Sequence, residues 1–204
     1  MNSRELLKKF PIISEQINKP KLQVILEILE RLIMAKIPGD VVELGCYKGT
    51  TSLFLQRLLK LTDKKLYLYD SFEGLPEKTS FDMSTAGEQF KPGELSVSKK
   101  MLTYEFKKAN LDLPFIKKAW FKDLTPADMP KNICFGFLDG DFFDSISDSL
   151  KLCWPLVSNN GVLVVDDFSN EALPGASRAC HSFFNQRSDY KFNTSAGLGI
   201  YIKK

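Results

Sequence analysis

The sequence predicts a doubly wound α/β sheet with helices on both faces. Two observations carry this expectation. Short apolar runs alternate with segments whose apolar residues recur at helical spacing, over about 160 residues, which is the pattern of strand–helix units that build a mostly parallel sheet. The strand-like runs also end alike: Glu43-Leu44-Gly45, Asp70, Asp139 and Asp166-Asp167 all stand where an apolar run stops. In open α/β sheets ligands lie outside the carboxyl ends of the strands, so these endings form the candidate site.

Taken in order, Leu22, Ile25, Leu26, Leu29 and Ile33 fall at helical spacing after Pro20, and Pro38-Gly39 stops that helix. It belongs to an N-terminal helical segment, residues 1–38. Val41, Val42 and Leu44 form a short buried strand. Thr50 to Leu61 reads as a helix and Lys65–Asp70 as a second strand. Residues 71–95 are rich in Gly, Pro, Ser and Glu and follow no period. Long loops of this kind in compact domains are usually functional, and Phe81, Met83, Phe90 and Pro92 among polar residues suit a lid that excludes water. Leu102, Phe106 and Ala109 mark a helix, Phe115–Phe121 a strand, and Ile133–Asp139 a strand ending in acid. Ile146, Leu150, Cys153 and Val157 mark the next helix, and Asn160-Gly161 turns the chain. Gly161–Asp167 is a strand ending in two carboxylates. A helix over Ala176–Gln186 and closing strands at Tyr190–Asn193 and Gly199–Ile202 complete one domain, residues 1–204.

Composition narrows the classes. Of the 204 residues 44% are hydrophobic, enough for a core, and 26% are charged, so disorder and collagen-like repeats are excluded. The net charge is only +3, and the Lys pairs 64/65, 99/100, 107/108 and 117/118 are scattered, which reads as solvated surface and not as a nucleic-acid footprint. No apolar run approaches the roughly 18 residues of a membrane span. Arg4, Glu5, Lys8 and Lys9 interrupt the stretch a signal peptide would need, so a cytoplasmic protein away from the membrane is expected. The four cysteines, Cys46, Cys134, Cys153 and Cys180, have neither zinc-site spacing nor a disulfide role in a chain this long, and read as reduced and mostly buried. His181 is the single histidine, so histidine-rich metal sites are excluded.

The chemistry lies at the strand ends. The first strand runs into Glu43-Leu44-Gly45-Cys46-Tyr47-Lys48-Gly49-Thr50, an E-x-G-x-x-x-G turn and not the dinucleotide fingerprint G-x-G-x-x-G. Its glycines let backbone pass close to a ligand, and the following helix N-terminus points N–H groups at it. Asp70, at the end of the second strand, stands where an acid accepts hydrogen bonds from ribose hydroxyls. Asp139-Gly140-Asp141 and Asp166-Asp167 end two further strands that should be sheet neighbours. Converging carboxylates repel unless a cation or raised pKa values relieve them, and an all-oxygen set suits Mg²⁺, which binds few protein ligands.

The glycine turn with Asp70, together with VVELGCYKGTTSLFL, YDSFEGLP, AWFKDLTP, FLDGDFFDSISDSL, VVDDF, PGASRA and the final GLGIYI, resembles the macrocin O-methyltransferase (TylF-type) family of class I S-adenosylmethionine-dependent methyltransferases. The stretches run in family order from about residue 40 to 185, and the YDSFEGLP and LDGD…DD elements are its more specific parts. The resemblance implies a Rossmann-like methyltransferase sheet of seven strands. It implies S-adenosylmethionine at Glu43, Gly45, Tyr47, Gly49 and Thr50 and at Asp70, Ser71 and Phe72, with Asp123 near the adenine amine. It implies metal ligation by the LDGD acid and the DD pair, mapped here to Asp139, Asp166 and Asp167. Which of Asp139 and Asp141 binds metal stays open, since both project from one strand end.

Methyl transfer needs an acceptor hydroxyl held in line with the sulfonium methyl and relieved of its proton. A metal-bound hydroxyl is more acidic, and a carboxylate beside it can take the proton, so Asp139 or Asp141 is the candidate base. His181, in a late helix beside Phe183 and Phe184, is the other candidate and reads more simply as packing or surface. The expected activity is metal-dependent O-methylation of a small-molecule hydroxyl, on a sugar or glycosylated natural product. A catechol-like diol acceptor is the alternative within that chemistry. A nicotinamide-dependent oxidoreductase would share the sheet and the ribose acid, but it needs no DD pair and its G-x-G-x-x-G is missing. A binding module without activity leaves the strand-end acids unexplained. Self-association into a homo-oligomer stays open.

Overall fold

The computed structural model describes residues 2–87 and 89–204; Glu88, inside the segment expected to form a lid, and Met1 lie outside them. The strands are β1 (Asp40–Leu44), β2 (Leu66–Asp70), β3 (Phe115–Lys118), β4 (Ile133–Leu138), β5 (Val157–Val165), β6 (Tyr190–Ser195) and β7 (Leu198–Lys203). They form one sheet in the order β3-β2-β1-β4-β5-β7-β6, parallel throughout except that β7 runs antiparallel to both β5 and β6. The order reverses between β1 and β4, which places the switch point of a doubly wound sheet at the ends of those two strands. The expected doubly wound sheet of seven strands is therefore what the chain forms.

Helices α1 (Ser3–Lys9), α2 (Lys19–Met34), α3 (Thr50–Leu59) and α4 (Lys99–Lys108) cover one face, and α5 (Phe143–Cys153) and α6 (Pro174–Phe184) the other. Side chains alternate along a strand, so a sheet covered on both sides needs apolar residues at every position. β1 shows this: Val41 packs with α2 and α3, while Val42 and Leu44 pack in the core under α5 and α6. α2 buries Leu22, Ile25, Leu26, Leu29 and Leu32 as one stripe, each worth about 1.5–3 kcal/mol of hydrophobic transfer. The four cysteines are free and buried. Among the described residues no helix is long and apolar enough to cross a membrane.

Helix α1, opened by the Asn2–Glu5 capping box, lies within the helical segment expected over residues 1–38. The structure corrects two sequence readings. β3 ends at Lys118 instead of Phe121: Ala119 N–H donates to Asp70 O at 3.0 Å as the last rung, and Phe121–Asp123 then winds into a 3₁₀ turn. Asn160-Gly161 does not separate a helix from a strand. β5 already begins at Val157, and the pairing jumps from Ile133↔Val157 to Phe135↔Val162, so these residues form a bulge in which Asn160 takes φ 62°.

Candidate active site

The strand ends are tied to one another rung by rung. Asp139 N–H donates to Leu44 O at 2.8 Å, Asp166 N–H to Leu138 O at 2.9 Å, and Gly45 N–H to Tyr69 O at 2.9 Å. Parallel pairing thus continues one residue past each strand and aligns the glycine turn, Asp70, Asp139 and Asp166 along one edge. Gly45 must be glycine here: its φ is 93°, and a Cβ would overlap the Asp139 carbonyl oxygen. The close approach of these two strand ends joins the glycine turn to the acids.

Asp70 braces that turn. Its Oδ2 accepts from Cys46 N–H at 2.8 Å and more weakly from Tyr47 N–H at 3.3 Å, and its Oδ1 accepts from Phe72 N–H at 2.7 Å. A carboxylate offers about four lone-pair sites, so roughly one remains for a ligand hydroxyl. Glu43 sits deeper, only 1% exposed, and its Oε2 has no hydrogen-bond partner among the described residues. Burial pushes its carboxyl up to about 8; the nearby Ser52 hydroxyl opposes the shift and Asp70 adds to it.

A cavity of about 300 Å³ opens along this edge. Of the residues expected at the cofactor, Gly45, Tyr47, Asp70 and Ser71 line it; Asp139, Asp141, Asp166 and Asp167 line it as well. Glu43, Gly49, Thr50 and Phe72 do not. Gly49 caps α3 at φ 83°, and Thr50 and Phe72 are buried behind the lining. Asp123 follows in the 3₁₀ turn, exposed and outside the lining, and Trp120 and Phe121 form the wall there. His181 is likewise exposed on α6, its ring edge-on to Phe168, and is not part of the lining. Tyr47, Phe90, Asp141 and Asp167 all line the cavity with positive φ, between 44° and 61°. Non-glycine residues held there cost of order 1 kcal/mol or more each, and such strain concentrates at functional sites.

The acids gather as a group. One carboxylate oxygen from each of Asp139, Asp166 and Asp167 lies within 4.8 Å of the others. Consecutive strand residues point to opposite faces, and Asp166 and Asp167 converge because the strand has ended: both sit in a turn, with Asp167 at φ 52°. Burial, then Asp166 and Asp141, pushes the Asp139 carboxyl well above the usual range; burial, then Asp167, does the same to Asp141. Asp166 is raised too, by burial and by Asp167. The cluster holds more negative charge than its surroundings balance.

The sequence reading missed the cation that faces it. Lys21, from the first turn of α2, lies 2.5 Å from Asp166 Oδ1 and 3.1 Å from Asp167 Oδ1. Burial alone would lower its pKa, but the two carboxylates outweigh that and hold the ammonium above its ordinary value. Glu15 and Gln16, just upstream, line the same cavity.

Part of the expected lid is fixed in place. The 3₁₀ turn Ser80–Asp82 is clasped by Asp82, which is buried: Oδ1 accepts from Phe143 N–H at 2.6 Å, and Oδ2 accepts from Thr79 N–H and Oγ1 at 2.8 and 2.9 Å. Arg178 donates to Phe81 O and Met83 O, and Phe81 stacks on Phe143 with ring centroids 4.3 Å apart. Gln89 and Phe90 reach the cavity, and Gln89 Oε1 accepts from Asn170 Nδ2, which also donates to Asp167 Oδ1.

Comparison with known proteins identifies relatives of the chain and of its fold. Residues 3–197 match the Macrocin-O-methyltransferase (TylF) family. The chain is 29% identical over 157 residues to the 8-demethyl-8-(2,3-dimethoxy-alpha-L-rhamnosyl)-tetracenomycin-C 4'-O-methyltransferase of Streptomyces olivaceus, covering 72% of this chain and 60% of that enzyme. It is 26% identical over 192 residues to the Mycinamicin III 3''-O-methyltransferase of Micromonospora griseorubida, covering 89% of this chain and 74% of the relative. Among solved structures the O-methyltransferase NovP shares the fold, with a TM-score of 0.78 at 22% identity, over 90% of this chain and 79% of that one. A match running through nearly the whole chain, on a sheet of this order, makes the chain a member of the macrocin O-methyltransferase (TylF) family.

Proposed function

We propose that residues 1–204 work as one methyltransferase domain that moves a methyl group from S-adenosylmethionine to a hydroxyl of a glycosylated small molecule, with Mg²⁺ held by Asp139, Asp166 and Asp167. The observation that carries this is the single cavity onto which both the Asp70-braced glycine turn and the acid cluster open. The sugar acceptor is supported by the rhamnosyl substrate in the name of the tetracenomycin relative.

Both groups fit the residues present. The free lone pair of Asp70 suits a ribose hydroxyl, and Tyr47, Ser71, Trp120 and Phe121 supply a wall of mixed polarity for a nucleoside. The three-carboxylate set is all oxygen and short of positive charge, which suits a hard divalent cation. S-adenosylmethionine supplies the electrophilic methyl group, and Mg²⁺ supplies a lowered pKa at an oxygen it binds. The rest falls to the chain. Asp70 and Gly45 orient the turn, and Glu15, Gln16 and Gln89 offer hydrogen-bonding groups to a polar acceptor. Asp139 or Asp141 takes the hydroxyl proton at a carboxylate oxygen.

The test is a rate-versus-Mg²⁺ titration after exhaustive chelation, beside calorimetry with S-adenosylhomocysteine. Chelation should abolish turnover and leave cofactor binding largely intact. Asp166→Asn and Asp167→Asn should lose activity with partial rescue at high Mg²⁺. If Asp139 is both ligand and base, Asp139→Asn should resist rescue, because an amide can coordinate but cannot accept the proton, and Asp141→Asn should have the milder effect. A severe, unrescued Asp141→Asn beside a nearly normal Asp139→Asn would make Asp141 the base. Full turnover in protein that elemental analysis shows to be metal-free would remove the metal from this proposal.

A further inference from the structure

Helix α2 opens beside the acid cluster. Asn18 caps it by accepting from Lys21 N–H at 2.9 Å, which fixes the backbone of Lys21 over the end of β5. The lysine side chain is only 15% exposed, and a Cβ on Gly197, in the β6–β7 turn, would stand 3.9 Å from its Cε. Its Nζ lies 2.5 Å from Asp166 Oδ1 and 3.1 Å from Asp167 Oδ1, on two of the three acids whose carboxylates gather within 4.8 Å. Mg²⁺ demands near-octahedral oxygens at about 2.0–2.1 Å, so an ammonium bonded to both Asp166 and Asp167 competes with the ion for the same two carboxylates. Two cations in one small, partly buried space also repel strongly.

We infer that Lys21 is the resident counter-cation of this site, and that a divalent ion binds Asp166 and Asp167 only by displacing it. The inference rests on the metal reading above. Lys21 balances the acids while the metal is absent, and it weakens the apparent metal affinity by the cost of breaking its bonds to them. One charge-assisted hydrogen bond given up corresponds to about tenfold or more in affinity.

The experiment is Mn²⁺ binding followed by electron paramagnetic resonance, on wild type, Lys21→Met, which keeps the stem without the charge, and Lys21→Arg, which keeps the charge. Lys21→Met should bind Mn²⁺ at least about tenfold tighter than wild type, and Lys21→Arg should stay weak. Independently of any variant, acetic anhydride labelling of Lys21 in the wild-type protein, read by mass spectrometry, should rise when Mg²⁺ is added. Equal Mn²⁺ affinity in wild type and Lys21→Met, or labelling unchanged by Mg²⁺ at concentrations that fill the site, overturns the displacement and leaves the metal site standing. Weaker binding by Lys21→Met overturns it too, since the lysine would then support the ion. Absence of Mn²⁺ binding in all three proteins overturns the metal reading and this inference together.

Discussion

Replacing Asp70 with alanine should damage the site in two separable ways. The carboxylate receives two short backbone bonds, from Cys46 N–H at 2.8 Å and Phe72 N–H at 2.7 Å, and a long one from Tyr47 N–H at 3.3 Å. Hydrogen bonds to a charged group contribute about 1.5–3 kcal/mol each, and the site is partly open to water that can replace them, so the two short ones together should cost about 3 kcal/mol. For a chain of this size that is a fall of about 6–12 °C in Tm. The second effect is on the cofactor: losing the ribose acceptor and the ordered turn should weaken S-adenosylhomocysteine by about 2–3 kcal/mol, or roughly 30–150-fold. Asp70→Asn should fall between, because an amide has one accepting oxygen and must turn its NH₂ toward N–H groups on the other side. Calorimetric unfolding and titration calorimetry read the two effects. A folded Asp70→Ala with unchanged Tm and unchanged affinity would refute the reasoning. A lowered Tm with unchanged affinity would leave Asp70 as a brace only and remove the ribose contact.

Two further predictions concern buried carboxyl groups outside the cavity lining. The folded protein keeps the Glu43 proton up to about pH 8, whereas an ordinary carboxyl releases it near 4.5; the unfolded chain therefore binds fewer protons across that window, and stability falls as pH rises through it, with a slope of order 1 kcal/mol per pH unit. Glu43→Gln does not titrate, so its Tm should vary less than that of wild type between those pH values, and parallel curves would show that Glu43 is ionised in the fold. Asp82→Ala removes the acceptor for Phe143 N–H and both Thr79 donors, and Gly175→Ala would drive a Cβ onto Asp82 Oδ1. Both should speed proteolysis between Phe81 and Phe90 at least severalfold, and cleavage at the wild-type rate would mean that Arg178 and the Phe81–Phe143 stack hold the segment alone.

What could be read from the chain was what neighbouring residues decide among themselves. GVLVVDD reads as a strand ending in acid because apolar β-branched residues and the two carboxylates are adjacent, and the same holds for the Glu43–Thr50 turn. The expected strand end at Phe121 failed because the rung that ends β3 depends on Asp70 O, which lies on another strand, and the residues after that rung, Asp123 among them, curl instead of extending. Thr79-x-x-Asp82 is legible as a capping pattern, yet the N–H that makes Asp82 a clasp belongs to Phe143, on α5. Lys21 is the sharpest case. It stands 146 positions from Asp167, in a helix whose pattern declares only its buried stripe of leucines and isoleucines, and on that pattern a lysine at the start belongs to solvent. The acids themselves held the missing signal, since four carboxylates at one edge need positive charge from somewhere, and a lysine can supply it as well as a metal. Counting every cation that the fold brings to the cluster, and not only those next to it in the chain, turns the question from whether a divalent ion fits into what it must displace.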